Sequence, residues 1–139
     1  MTASDKPTGA LVTTLEGTRG VASAYLFGSI AAGRGHRESD VDVGVLLDRQ
    51  VYPHAVDRFE VRLRLIGRLQ AAAGREVDLV ILNDAPPQLG RHIMTGGTRL
   101  MVVDAALDHA HLRTTLSRAA DLEPFLKRAR AVKLAALAP

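Results

Sequence analysis

The sequence contains no cysteine and no tryptophan. Without cysteine, disulfide frameworks, thiol nucleophiles and cysteine-ligated zinc or iron–sulfur centres are excluded. Aromatic residues make up 4% of the chain, too few to build the stacking platforms on which single-stranded nucleic acids bind. No run approaches the roughly 20 apolar residues of a membrane span, and Met1 to Ala10 has no apolar segment of the secretory kind. A cytoplasmic protein without membrane contact is therefore expected. No repeat, low-complexity tract or Pro/Gly/Ser linker divides the chain. With 139 residues, 47% of them hydrophobic, it reads as one domain over 1–139, with a core of about 7–103 and a helical C-terminal segment of about 104–138. The formal charge of +3 suits a polyanionic partner such as a nucleotide. The basic residues are not gathered in a tail, and direct nucleic-acid binding is not expected.

The hydrophobic pattern predicts an α/β fold, a mixed β-sheet backed by helices. Leu11, Val12 and Leu15 have helical spacing and place a first helix within Lys6–Arg19, closed by Gly17 and Gly20. Val21–Phe27, Val41–Leu47 and Glu76–Leu82 read as buried strands. Between the last two, Val56, Phe59, Val61, Leu63, Leu65, Ile66 and Leu69 predict a helix covering the sheet and ending near Gly74. Ala85–Gln88 is a proline turn opening a short helix through Ile93 and Met94, and Arg99–Val103 follows as an edge strand. Asp104–Ala138 is helical in composition. Pro124 is expected to split it into two helices around Asp121–Pro124, since proline fits a first turn and not a helix interior.

The residues that carry chemistry begin at Gly28 and Ser29. A strand running into Gly-Ser brings backbone close to a ligand, with successive amide groups and a hydroxyl available to phosphate oxygens. Asp40 and Asp42 stand two apart at a strand start, so their side chains share a face while Val41 and Val43 take the other. Adjacent carboxylates repel and raise at least one pKa unless a cation lies between them. Asp78, in Val77-Asp78-Leu79-Val80, is an acid inside an apolar strand, which is costly without a partner. Three carboxylates with two Mg2+ ions form a phosphoryl-transfer site. In such a site Asp40 and Asp42 bind both ions, and Asp78 completes one shell and accepts the incoming proton.

Gly28-Ser29, a ten-residue gap, Asp40-Val41-Asp42 and the later Asp78 resemble the signature of the DNA polymerase beta-like nucleotidyltransferase superfamily. The small size and the Gly-Ser-x-Ala-x-Gly turn are similar to the minimal nucleotidyltransferases, or MNT domain proteins. Ala85 to Leu89 with Ile93, Gly97 and Leu100 resembles the segment after their third carboxylate. The resemblance implies a nucleotidyltransferase fold and an antitoxin that moves AMP from ATP to a tyrosine of a HEPN ribonuclease toxin. It further implies Asp40, Asp42 and Asp78 as catalytic metal ligands, with Gly28, Ser29 and Arg34 binding the nucleotide. The sequence departs from the family at Ile30 or Ala32, where many relatives carry an arginine; Arg34 and Arg37 lie close by. Two other readings stand beside it: an antitoxin that neutralises by binding alone, and an enzyme acting on a small-molecule hydroxyl.

The remaining polar residues have plainer readings. His36, His54, His92, His109 and His111 show no metal-ligand spacing and are read as surface residues, with His36 placed to touch a nucleotide. Ser39 reads as a turn residue. Arg62, Arg64 and Arg68 form a solvated helix face. The leucines, Phe125 and Val132 of the C-terminal segment are expected to pack in the core, with some surface left for a partner. Arg113, Arg118, Lys127, Arg128, Arg130 and Lys133 could meet an acidic toxin surface.

Overall fold

The computed structural model describes residues 5–31, 33 and 40–138, with the side chains of 5–7 and 29 outside the description. The order is α1 (Asp5–Glu16), β1 (Val21–Phe27), α2 (Gly28–Ala31), β2 (Val41–Leu47), α3 (Ala55–Ala73), β3 (Val77–Ile81), a 3-10 turn (Leu82–Asp84), α4 (Pro87–Gly96), β4 (Thr98–Val102) and α5 (Ala105–Leu137). Four strands form one sheet in the order β3-β2-β1-β4. β1 runs antiparallel to β2 and β4, whereas β2 and β3 are parallel. A parallel pair needs a crossover, and α3 provides it. Among the described residues no helix is long and apolar enough to cross a membrane.

Side-chain alternation along the strands sorts the sheet into two faces. Val41, Val43, Val45 and Leu47 point to one face, where they pack with Leu79 of β3, Leu11 and Leu15 of α1, and Val61, Leu65 and Leu69 of α3. Leu46 points to the other, into a smaller cluster with Tyr25, Leu82, Ile93 and Met94 beneath α4 and α5. Gly44 lies on this second face, and a Cβ there would stand 2.8 Å from Ile93 Cγ2. Its missing side chain is what lets α4 rest on the strand backbone.

Three polar anchors tie the layers together. Asn83 takes over pairing where β3 stops: its Oδ1 accepts from the Leu47 N–H at 2.9 Å and its Nδ2 donates to the Leu47 carbonyl at 2.8 Å. Buried Arg58 of α3 donates twice to the Asp84 carboxylate, at 2.9 and 2.8 Å, and once to the Tyr52 carbonyl at 3.0 Å. Asp108 of α5 is buried and accepts from Ser23 Oγ at 2.6 Å and Tyr25 OH at 2.7 Å, with Arg99 at 3.7 Å. Burial, with the hydrogen bond to Asp108, pushes the Tyr25 hydroxyl well above its ordinary pKa.

Five expectations are corrected. α5 is one continuous helix with Pro124 inside it. A proline removes one backbone hydrogen bond and crowds the carbonyl four residues earlier, here Ala120, but the good helix formers on both sides carry the helix through, and Gln88 donates to the neighbouring Ala119 carbonyl at 3.1 Å. Val56, Phe59 and Leu63 do not cover the sheet; they are exposed on the outer side of α3, because a helix on one sheet face buries a single stripe, here Val61, Leu65 and Leu69. In the C-terminal segment Leu107 and Leu112 pack against the smaller cluster, while Leu116, Leu122, Phe125, Val132 and Leu134 are exposed. His111 is not a surface residue: it is half-buried with Nε2 at 3.1 Å from the Leu82 carbonyl, and burial lowers its pKa. Arg62 is likewise half-buried and donates to the Leu79 carbonyl at 2.8 Å.

Replacing Asn83 by alanine would strand two backbone groups of the buried Leu47. Urea unfolding of Asn83→Ala is expected to show a loss of about 1–3 kcal/mol, and Asn83→Asp, which keeps the acceptor and loses the donor, an intermediate loss. Equal stability of all three proteins would count against the anchoring role.

Candidate active site

The site forms where β1 ends and β2 and β3 begin. β2 and β3 pair in parallel with Asp42 opposite Asp78, flanked by Val41 opposite Val77 and Val43 opposite Leu79. The flanking pairs point into the α1/α3 core, so alternation sends both aspartates to the opposite face. Neighbouring strands lie about 4.8 Å apart, which sets the two carboxylates side by side. Asp40, just before β2, and Asp78 are exposed, and Asp42 is half-buried. Burial raises the Asp42 pKa first, then the charge of Asp78, then that of Asp40. No positive neighbour among the described residues offsets this.

Asp42 also faces Phe27, the last residue of β1. The next residue, Gly28, has φ of +77°, and a Cβ on it would collide with the Asp42 carboxylate. Glycine is thus required twice: for a backbone conformation that L side chains resist, and to leave room for the acid. α2 is a single turn starting there, and Ile30 packs against the main core. Ile30 thus makes an apolar contact within the turn, and Ala32 lies outside the described residues. Gly33 continues the turn, its N–H donating to the Ile30 carbonyl at 3.1 Å.

Of the six residues singled out in the sequence, the fold brings Asp40, Asp42, Asp78 and Gly28 together. The backbone of Ser29 lies in α2 and its side chain is outside the description, as are Arg34, His36, Arg37 and Ser39. Among the described residues no three His, Cys, Asp or Glu side chains are arranged to enclose a metal ion. The arrangement is an open acidic ledge, and its donor set fits a hard cation of the Mg2+ kind, which accepts one or two carboxylates and fills its shell with water and substrate phosphates. The sequence carried a signal for the aspartates but none for the Asp108 network, whose partners Ser23 and Tyr25 lie 85 and 83 residues away.

Residues 10–106 match the family described as polymerase beta nucleotidyltransferase. The chain belongs to that family. Among its relatives, protein adenylyltransferase MntA of Shewanella oneidensis is 37% identical over 78 residues, 55% of this chain and 50% of the relative. The chain therefore spans about half the length of the curated relative it matches. A crystal structure of a toxin–antitoxin with AMP-PNP contains a chain 26% identical to this nucleotidyltransferase, with a TM-score of 0.72 over 94% of this chain and 98% of that one. A structure of a tri-AMPylated Shewanella oneidensis HEPN toxin in complex with MNT antitoxin matches at 22% identity and a TM-score of 0.68, over 97% of this chain and 99% of that one. At that identity the likeness speaks for the nucleotidyltransferase fold alone.

The raised pKa of Asp42 has a measurable sign. A carboxyl whose folded pKa is raised above its ordinary value, here 3.8, favours the folded state below that value. The contribution is lost as pH rises through the raised pKa. Asp78→Asn removes one like charge, so carboxyl NMR titration is expected to show the Asp42 pKa falling, and the metal-free variant should melt above wild type at neutral pH. An unchanged Asp42 titration would contradict the adjacency of the two acids. Gly28→Ala is expected to destabilise by about 1–3 kcal/mol in thermal or urea unfolding, from the left-handed backbone and the displaced carboxylate.

Proposed function

We propose that this chain is an antitoxin adenylyltransferase that moves AMP from ATP to a tyrosine hydroxyl of a HEPN-family ribonuclease toxin. The observation that carries the reading is the in-register pair Asp42 and Asp78 on adjacent parallel strands, beside a glycine whose missing side chain makes room for Asp42. The name of its relative, protein adenylyltransferase MntA, and the likeness to a toxin–antitoxin with AMP-PNP support it.

In this reading Asp40, Asp42 and Asp78 hold two Mg2+ ions, which when bound neutralise the triphosphate and favour the ionised form of the attacking hydroxyl. The pKa of Asp42, raised by burial and then by the charges of Asp78 and Asp40, supports cation binding, since a nearby cation favours the ionised carboxylate. Gly28 and Ser29 receive the phosphates through backbone amides and a hydroxyl, with Arg34 as the nearby cation. The tyrosine oxygen attacks the α-phosphorus, the bond from that phosphorus to the bridging oxygen breaks, and pyrophosphate leaves. Asp78, exposed at the rim, accepts the tyrosine proton. The acceptor arrives on a second protein, which accords with an open ledge.

One observation favours a second reading, an antitoxin that works by binding alone. Ile30 spends a position of the phosphate turn on core packing, in a turn where many relatives carry an arginine. The two readings separate on one experiment. Incubated with ATP, Mg2+ and its cognate toxin, the wild-type protein is expected to add at least one adenylyl unit to the toxin, read by intact mass. Asp40→Asn/Asp42→Asn is expected to lose at least about 100-fold in rate, since several kcal/mol of charge stabilisation is removed. A toxin left unmodified by wild type but neutralised equally by both proteins selects the binding-only reading.

A further inference from the structure

The first half of α5 packs into the body of the protein, and the second half touches it at Glu123, whose Oε2 accepts from Gln88 Nε2 at 3.5 Å. Asp108, Thr115 and Ala119 are its buried residues, and from Ala120 to Leu137 no residue is buried. That second half is about 27 Å long at 1.5 Å per residue. Phe125 to Leu137, the part after Pro124, is of the length at which an isolated helix is marginal in water, and Pro124 removes one hydrogen bond at its base. A helix of this kind gains its stability from packing, and every residue of this stretch except the half-buried Leu126 is exposed.

Its composition is specific. Leu122, Phe125, Ala129, Val132 and Ala136 recur at alternating intervals of three and four residues, the spacing of a seam between paired helices. Phe125 is 61% and Val132 70% exposed. The Arg128 guanidinium lies 4.8 Å from the centroid of the Phe125 ring, partly shielding it. The seam is flanked by Arg128 and Lys133, with Lys127 and Arg130 further round, and no acidic residue follows Glu123.

Charge decides the occupant. Two copies paired along this seam would set Arg128 and Lys133 of one against those of the other, while Arg130 is held by Glu123 at 3.1 Å, so a second copy is disfavoured. Two alanines in the seam suit close approach of another helix more than insertion into lipid, where wider apolar faces with more aromatic residues are found. We propose that Leu122–Ala136 is a docking helix that pairs with an apolar, acid-flanked helical groove on the protein substrate. The identity of that substrate rests on the adenylyltransferase reading above; the surface and its chemistry rest on α5.

The test uses the full chain and the cognate toxin. Phe125→Glu/Val132→Glu alters exposed positions, so its melting temperature should match that of wild type, while calorimetric affinity for the toxin is expected to fall about 30-fold or more, as for a truncated hot spot. Arg128→Glu/Lys133→Glu is expected to weaken binding about tenfold at low salt and less at high salt, through screening. Amides of 125–137 should exchange quickly in the free protein and become protected in the complex. Unchanged affinity in both double variants overturns the proposal, as does self-association lost in Phe125→Glu/Val132→Glu, or binding to phosphatidylserine vesicles with none to the toxin. Intact mass on the same samples separates the two inferences. A toxin held through the seam yet left unmodified sinks the transfer reading alone; a toxin modified and bound equally by every seam variant sinks the docking helix alone.

Discussion

Two strands that run parallel and in register, β2 and β3, put Asp42 beside Asp78, and much of the remaining architecture keeps them there. A slip of one residue would turn every side chain of β3 to the other face, burying Asp78 in the core and moving Val77 and Leu79 onto the ledge. The register is held from both sides of the site. Val41, Val43 and Val45 interlock with Leu79, Leu65 and Leu69 below it, while Asn83 and the Arg58–Asp84 pair fix the far end of β3 to β2 and α3. Hydrophobic burial thus holds two like charges in register on adjacent strands, and the pKa of Asp42 is raised by its own burial and then by those charges.

The same sheet separates support from chemistry. The α1/α3 face is uniformly apolar and builds the larger core. The opposite face changes along its length, from the carboxylates at the start of β2 to Gly44 and Leu46 beneath α4, and then to Ser23 and Tyr25, which donate to Asp108. That buried carboxylate pins α5 to β1. Gln88 donates to the Ala119 carbonyl and, at 3.5 Å, to Glu123, and beyond Leu126 every residue of α5 is exposed. The site therefore lies at the edge of the packed sheet, while the last turns of α5 are exposed.

Much of this was legible in the sequence where local pattern and burial agree. Val21–Phe27 and Val41–Leu47 form strands over the ranges their apolar runs suggest, and Asp40 and Asp42 stand at the start of the second as their spacing suggests. Reading failed where the same residue types serve two environments. Val56, Phe59 and Leu63 have the spacing of core residues, but α3 meets the sheet along one stripe and these three face outward. Pro124 carries a strong local preference for a helix start, outweighed by the helix formers on both sides of it. His111 has no sequence signal for burial; α5 happens to bring it over the Leu82 carbonyl.

By itself, then, the sequence determined the elements, the order of the acidic motif and the two-residue spacing that puts Asp40 and Asp42 on one side of a strand, since these follow from backbone periodicity. The tertiary structure alone decided that β2 and β3 are parallel with Asp42 against Asp78, that Gly28 must lack a side chain because Asp42 fills its space, and that Asp108 lies buried under two hydroxyls. Each of these depends on residues far apart in the chain, whose contact is set by how the layers pack and not by any local preference.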